Sequence, residues 1–169
     1  MGASIFILLG SNMGDRHSNL DYGRQEISRS IGGIITASSI YKTAAWGNVD
    51  QPDFYNQVIE IHSTFSPEDL LFHLLEIEKM AGRIRREKWG PRVLDIDILF
   101  YGDFILASEN LTIPHPEISN RKFTLLPLVE IAPGFIHPIT HKTINQMLLE
   151  CRDDLAVEKL NRLNRDTQD

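Results

Sequence analysis

The stretch SPEDLLFHLLEIEKMAGRIRREKWGPRVLDIDILFY, residues 66–101, decides the fold because it joins a helix to a strand through a basic loop. Ser66 can cap the start of the helix, Pro67 suits its first turn, and Gly82 can end it, because helices commonly end at glycine. Four apolar residues recur at helical spacing and should face the core: Leu70, Leu74, Ile77 and Ala81. Glu78 lies beside that stripe. The pattern predicts an amphipathic helix between Ser66 and Gly82.

Residues 93–101 follow the basic loop and alternate as a half-buried strand does. Four of them should share the core face of the strand: Leu94, Ile96, Ile98 and Phe100. Asp95 and Asp97 are two residues apart, so they project together from the opposite face. The strand therefore presents two carboxylates side by side.

Working outward, residues 5–9 predict a first strand, and a Gly-containing turn over residues 10–15 leads into a polar helix that ends at Gly32-Gly33. That helix has a sparse apolar stripe: Leu20, Ile27 and Ile31. Residues 34–43 and 54–64 are rich in β-branched side chains and predict two strands, with a loop over residues 44–53 between them.

The predicted order is βαββαβ, which is the ferredoxin-like pattern within the α+β class. It gives an antiparallel sheet with both helices on one face, and leaves the other face for a site or for the C-terminal segment. Thr143 and Gln146 predict a capping box at the start of a late helix. We expect one domain over residues 1–160 and a polar tail over residues 161–169.

Composition narrows the class of protein. The chain has 169 residues, a formal net charge of −6 and 42% hydrophobic residues, and it contains no apolar run of membrane-spanning length. The acidic balance argues against a nucleic-acid binder, and Cys151 alone can form no internal disulfide. We therefore expect a cytoplasmic monomer that contacts neither nucleic acid nor membrane.

The basic loop departs from the acidic average. Residues 83–92 hold five basic side chains against Glu87 alone: Arg83, Arg85, Arg86, Lys88 and Arg92. Such a run is often a solvated loop, but here it stands directly before the two carboxylates, and the combination suggests a small anionic ligand. Trp89 within it is either a lid over a bound ring or a tether to the core.

Paired carboxylates such as Asp95 and Asp97 suit Mg²⁺, which takes one or two carboxylates and completes its octahedron with water and phosphate oxygens. Two acids on an exposed strand face can also be merely solvated. The guanidinium groups upstream favour the first interpretation, because phosphoryl-transfer sites neutralise the phosphates in this way. The chain contains no P-loop and no protein-kinase motif, so side chains must hold the phosphates. His115, between two prolines, is either an aimed imidazole or a surface histidine.

The segment Lys88-Trp89-Gly90-Pro91-Arg92-Val93-Leu94-Asp95-Ile96-Asp97-Ile98 resembles the signature of the 6-hydroxymethyl-7,8-dihydropterin pyrophosphokinase family. Further blocks resemble the same family in the same order: Leu9-Gly10-Ser11-Asn12 with Gly14-Asp15, Tyr41-Lys42-Thr43, Gln51-Pro52-Asp53-Phe54-Tyr55-Asn56, Gly82-Arg83-Ile84-Arg85, and Ile113-Pro114-His115 through Arg121 and Phe123. The resemblance departs at Ala44-Ala45, where the family usually has two prolines, and at Trp46, where it has an aliphatic residue.

The resemblance implies an enzyme that moves pyrophosphate from ATP to the hydroxymethyl pterin and releases AMP. It implies two Mg²⁺ ions on Asp95 and Asp97, with Arg83 and Arg92 as catalytic residues. The ATP-binding residues that it implies are Glu78, Arg85, Trp89, Ile98, Leu111, Thr112, His115 and Arg121. The pterin-binding residues that it implies are Thr43, Ala44, Trp46, Phe54, Asn56 and Phe123.

Two other functions fit parts of the sequence. A ferredoxin-like RNA-binding module would use the same fold and the basic loop, but the aromatic RNP pattern of such modules is absent from the sequence. A nucleotidyltransferase with an Asp-x-Asp pair would transfer AMP and release pyrophosphate instead. The products of the reaction separate this enzyme from a pyrophosphokinase.

Overall fold

The computed structural model describes residues 2–45, 50–82 and 91–161, and these form a mixed α and β architecture around an antiparallel sheet. The strands are β1 (Ala3–Ser11), β2 (Ile34–Ala37), β3 (Tyr41–Thr43), β4 (Phe54–Ser63), β5 (Asp95–Tyr101), β6 (Leu106–Ala107), β7 (Thr112–Ile113) and β8 (Val157–Lys159). The helices are α1 (Arg16–Ser30), α2 (Pro67–Met80), α3 (Lys122–Ile131) and α4 (Ile144–Glu150), with a 3₁₀ turn at Ile118–Asn120.

The main sheet has the strand order β5-β1-β4-β3-β8, and β2 also pairs with β4. Every pairing within it is antiparallel. β1 is an interior strand, because it pairs with β4 over its whole length and with β5 on its other side. This order brings the last residues of β1 beside the first residues of β4 and of β5.

Each face of the sheet carries its own apolar core. On one face, buried residues of α1 and α2 such as Leu20 and Leu74 pack against Ile5 and Ile7 of β1. On the other face, α3 and α4 pack against Phe6 and Leu8 and their neighbours. The alternation of β1 thus fills both cores, since successive side chains of a strand point to opposite faces.

Most predicted elements are confirmed, with small shifts at their ends. β4 ends one residue before the predicted strand, and β1 extends past the predicted residues 5–9 at both ends. The capping box of Thr143 and Gln146 is present at the start of α4. Within the described residues, no helix combines the length and apolarity that crossing a membrane requires.

The predicted face of Phe100 is wrong. Phe6 lies opposite Phe100, but the next residue, Ile7, lies opposite Ile98, so Leu99 is an extra residue in β5. A bulge of this kind reverses the alternation beyond it. Leu94, Ile96 and Ile98 therefore pack with α1 and α2 as predicted, whereas Phe100 packs in the core on the other face.

The single strand predicted over residues 34–43 is two strands, β2 and β3, separated at Ser38. The Ser38 hydroxyl accepts a hydrogen bond from the Val58 backbone N–H (3.0 Å), and the Gln57 amide donates to the Ser38 carbonyl (2.6 Å). These side-chain bonds replace part of the regular ladder, because a serine can offer the backbone an alternative partner.

The cap of α2 gives a stability prediction. The Ser66 hydroxyl accepts from the Asp69 backbone N–H at 3.1 Å, as the sequence predicts, and Gly82 follows the helix with a φ of +93°. We expect Ser66→Ala to lower the free energy of unfolding by about 1 kcal/mol, because one N–H of the first turn loses its partner. Urea denaturation measures this change. The control is Thr64→Ala at an exposed position nearby, and equal stabilities of the two variants would contradict the assignment.

Candidate active site

A cavity of about 520 Å³ lies where the neighbouring strands β5, β1, β4 and β3 begin or end, on one side of the sheet's strand ends. Gly10 of β1 pairs with Asn56 of β4 on one side and with Asp95 of β5 on the other. Thr43, at the end of β3, pairs with Phe54. The antiparallel register therefore gathers residues as far apart in the chain as Gly10 and Asp95 into one row.

All of the predicted site residues within the described ranges line this cavity. From the predicted pterin set these are Thr43, Ala44, Phe54, Asn56 and Phe123; from the catalytic and metal sets, Arg92, Asp95 and Asp97; and from the ATP set, Glu78, Ile98, Leu111, Thr112, His115 and Arg121. Four other predicted residues lie outside the described residues: Trp46, Arg83, Arg85 and Trp89. The structure brings the first group together, and the role of each residue remains a prediction.

Asp95 and Asp97 are partly exposed to the cavity, while Ile96 between them is buried. The nearest guanidinium nitrogen of Arg92 lies 3.5 Å from an Asp95 carboxylate oxygen, and both side chains are partly buried. The Arg92 backbone is fixed separately: its N–H donates to Asn12 Oδ1 (2.7 Å), and its carbonyl accepts from the Asn12 N–H (3.0 Å). This end of the cavity thus combines two carboxylates with an anchored arginine.

Glu78 is a buried carboxylate of α2 with an exposed fraction of 2%. Its Oε1 accepts a hydrogen bond from the backbone N–H of Ile96 at 2.8 Å. β5 is the edge strand of the sheet, so this bond gives a partner to an N–H that faces away from β1. Glu78 therefore fixes the backbone between the two aspartates, in addition to lining the cavity.

His115 is held from two sides. Its backbone N–H donates to the carbonyl of Leu99, the bulge residue, at 2.9 Å, and its Nδ1 accepts from the Glu117 N–H at 3.1 Å. Burial lowers the pKa of His115, and the nearby guanidinium of Arg121 lowers it further. The lowered pKa favours the neutral imidazole at pH 7, and because Nδ1 is an acceptor, Nε2 is the N–H donor of that form.

The part of the cavity near Asn56 carries two aromatic side chains. Phe54 and Phe123 both line it, and the Arg121 guanidinium lies 5.7 Å from the centre of the Phe123 ring. The Nε of Arg121 is buried and has no partner among the described residues. Two aromatic side chains and hydrogen-bonding groups suit a flat, polar-edged ring.

Asn56 has the most informative polar atom in this region. The side chain is 3% exposed, and its Nδ2 has no hydrogen-bond partner among the described residues. Leaving a buried donor unsatisfied costs about 1–3 kcal/mol, so a ligand that accepts from this amide offsets a real penalty. A Cβ on Gly10 would stand 3.0 Å from Asn56 Oδ1, which explains the glycine opposite it.

Sequence reasoning missed several cavity residues. Leu8, Gly10, Leu71, Leu75, Ile96 and Glu109 also line the cavity. Leu71 and Leu75 each follow a residue of the predicted apolar stripe of α2. They make that stripe wider than packing against the core requires, and this width could have indicated a cavity. Gly10 lies inside β1, whereas the sequence placed it in the turn over residues 10–15.

The donor set fits Mg²⁺. Within residues 2–45, 50–82 and 91–161 there is no group of three or more His, Cys, Asp or Glu side chains arranged to hold a metal ion. Mg²⁺ commonly uses one or two carboxylates together with phosphate oxygens. Asp95 and Asp97 therefore suit an ion that arrives with a polyphosphate.

An antiparallel sheet with helices, and a cavity lined by paired carboxylates, a guanidinium and two aromatic rings, suit the class of enzymes that handle polyphosphates beside an aromatic substrate. The chain belongs to the 7,8-dihydro-6-hydroxymethylpterin-pyrophosphokinase (HPPK) family, whose model matches residues 6–133.

Curated relatives agree with this family. The chain is 45% identical over 141 residues to the 2-amino-4-hydroxy-6-hydroxymethyldihydropteridine pyrophosphokinase of Synechocystis sp., covering 83% of this chain and 72% of the relative. It is 40% identical over 160 residues to the enzyme of the same name from Haemophilus influenzae, covering 94% of this chain and 97% of that one.

Solved structures resemble the fold. The HPPK-DHPS A437G protein of Plasmodium falciparum with pteroate superposes with a TM-score of 0.73 at 16% identity, covering 89% of this chain. The match takes in only 43% of that longer chain. At this identity the likeness concerns the fold alone.

Proposed function

We propose that this chain transfers the pyrophosphoryl group of ATP to 6-hydroxymethyl-7,8-dihydropterin, giving AMP and the pterin diphosphate in folate biosynthesis. The observation that carries the proposal is one cavity with two unlike ends. Asp95, Asp97 and Arg92 line the end suited to phosphates, and Asn56 lines the end suited to a ring. A pyrophosphokinase needs both ends within reach of each other.

The phosphate end is proposed to bind ATP with Mg²⁺. Asp95 and Asp97 would hold the metal, and two ions are expected. Bound Mg²⁺ would screen the repulsion between the polyphosphate and the incoming hydroxyl. Arg92, together with Arg83, which lies outside the described residues, would neutralise charge that develops on the transferred group.

The remaining ATP contacts follow from the same end of the cavity. The neutral His115 would donate a hydrogen bond from its Nε2–H group to a phosphate oxygen. Arg121 would add a cationic contact to that of Arg92. The apolar wall formed with Ile98 and Leu111 suits the adenine ring. Arg85 and Trp89 complete the proposed ATP set.

The ring end is proposed to bind the pterin. Phe54 and Phe123 would sandwich the ring, and the buried Asn56 amide would donate to an acceptor on its polar edge. Thr43, Ala44 and Trp46 complete this set. The substrate hydroxyl would then attack the β-phosphorus and lose its proton to water, forming an oxygen–phosphorus bond while the bond from that phosphorus to the α-phosphate oxygen breaks and AMP leaves. Positioning and charge neutralisation supply most of the rate in such reactions.

Features of the whole protein belong to the same proposal. The strand order and the helices α1 and α2 on one face support a ferredoxin-like βαββαβ unit, with α3, α4 and β8 as its C-terminal extension. We propose a single domain over residues 1–160 with a tail over residues 161–169, acting as a cytoplasmic monomer on small-molecule substrates.

Asn56→Ala tests the ring end. We expect the KM for the pterin to rise by about 10- to 100-fold, in line with the cost of losing a buried hydrogen bond, while the KM for ATP changes little. Steady-state kinetics with each substrate varied in turn measures both values. The control is Asn145→Ala on the exposed side of α4. An unchanged KM for the pterin in Asn56→Ala would exclude Asn56 from the pterin site.

Product analysis tests the function itself. The purified chain is incubated with Mg²⁺, ATP and 6-hydroxymethyl-7,8-dihydropterin, and the products are separated by chromatography. We expect AMP and a pterin diphosphate in equal amounts. Free pyrophosphate with an adenylated pterin would instead support nucleotidyl transfer, and no pterin-dependent loss of ATP would contradict both reactions.

A further inference from the structure

The C-terminal strap, defined as residues 153–160, contacts both walls of the ring end of the cavity. It lies beyond the family match, which ends at residue 133. Its strand β8 pairs with β3 and sets Val157 opposite Thr43, and the Thr43 hydroxyl donates to the Ala156 carbonyl at 3.4 Å. The strap thus forms the outer support of the wall that carries Thr43.

The other end of the strap reaches the start of α3 through Asp153. One carboxylate oxygen of Asp153 accepts from the backbone N–H of Lys122, and the other accepts from the N–H of Leu155, each at 3.0 Å. Lys122 is the first residue of α3 and stands between Arg121 and Phe123, which both line the cavity. Asp153 therefore binds the backbone at the centre of this wall.

The start of α3 lacks a local cap. Arg121 occupies the N-cap position, and its side chain makes no capping hydrogen bond. The first N–H groups of a helix have no partner within it, and a carboxylate is favoured there by the helix dipole. Asp153, 31 positions further along the chain, takes the place that a capping side chain would normally fill.

We propose that Asp153 is a positioning residue for the pterin: it fixes the first turn of α3 so that Phe123 keeps the place that ring binding requires. This inference rests on the proposed function, because the pterin is the ligand that would detect a shift of Phe123. The strap has further anchors, since the Leu160 N–H donates to the Ile40 carbonyl at 2.8 Å and β8 stays paired with β3. Loss of the Asp153 carboxylate should therefore release α3 locally and leave the fold intact.

The test compares Asp153→Ala and Asp153→Asn with Asp154→Ala, which changes the exposed neighbouring residue. Pterin affinity is measured by the fluorescence of the pterin in the presence of Mg²⁺ and a non-hydrolysable ATP analogue, and KM and kcat are measured beside it. We expect Asp153→Ala to weaken pterin binding about tenfold, the size of one charge-assisted hydrogen bond. Asp153→Asn keeps one acceptor oxygen, so its pterin affinity should lie between those of Asp153→Ala and the wild type. Asp154→Ala should bind the pterin as the wild type does.

Thermal denaturation of the same proteins separates positioning from stability. If Asp153→Ala lowers the Tm but binds the pterin as tightly as Asp154→Ala at a temperature where both are folded, the proposal is overturned. Should Asp153→Ala not fold, wild-type affinity in Asp153→Asn overturns it equally. The binding assay needs no turnover. A wild-type chain that binds the pterin but forms no AMP therefore contradicts the proposed function, while the comparison of binding affinities still tests the role of Asp153.

Discussion

Asp97→Ala is expected to lower kcat by about 10³-fold or more, because several kcal/mol of charge stabilisation depend on a metal held by this carboxylate. Asp97 lies opposite Leu8 in the sheet register and lines the cavity beside Asp95. Its removal leaves the backbone ladder of β5 in place. The loss should therefore appear in the chemistry and in metal affinity, with little change in the fold.

The measurement combines AMP formation with a titration of Mn²⁺ in the presence of a non-hydrolysable ATP analogue. Asp97→Asn keeps the shape of the side chain and should be nearly as inactive, since the amide is a poorer ligand for a hard cation. Asp103→Ala, in the exposed turn after β5, is the matched control. Near-normal turnover in Asp97→Ala would remove this residue from the metal site.

Arg92→Ala is expected to lower kcat by about 10²-fold, because the guanidinium would stabilise charge that develops on the transferred phosphoryl groups. The substitution keeps the two hydrogen bonds that anchor residue 92 to Asn12, since these use only the Arg92 backbone, and it removes the ion pair of the guanidinium with Asp95. Any loss therefore reports on the guanidinium and its contacts rather than on the backbone position of residue 92.

Arg92→Lys distinguishes charge from geometry. Lysine keeps the positive charge but lacks the planar fork that binds two oxygens at once, so partial recovery of kcat is expected. Arg29→Ala, at an exposed position of α1, controls for a change in net charge. A wild-type kcat in Arg92→Ala would show that the contact is equally strong in the ground state or is absent.

The sequence predicted the parts of the fold whose signals are local. The cap of α2 at Ser66 and the capping box of α4 depend on residues within one helical turn, and both are present. The same is true of Asp95 and Asp97, since two-residue spacing on a strand places both side chains on one face. These features follow from backbone geometry alone.

The remaining parts depend on distant partners. The bulge at Leu99 is set by pairing with β1, and the break at Ser38 is set by Val58 and Gln57 of β4. β8 contains only Val157, Glu158 and Lys159, and it forms a strand because β3 offers a free edge. No periodicity in such short segments could have predicted these elements.

The sequence predicted which residues line the site better than it predicted the contacts that hold them in place. The predicted site residues in the described ranges line one cavity, but the resemblance rather than periodicity supplied most of them. The contact of Glu78 with the Ile96 backbone and the binding of Lys122 by Asp153 join residues far apart in the chain. Only the tertiary structure shows such contacts.

The most direct test is a crystal structure of this chain with Mg²⁺ and a non-hydrolysable ATP analogue. The account predicts an ion about 2.1 Å from carboxylate oxygens of both Asp95 and Asp97 that also contacts phosphate oxygens, with Arg92 against the polyphosphate. An analogue bound with its metal coordinated by water and phosphate alone, away from both aspartates, would contradict it.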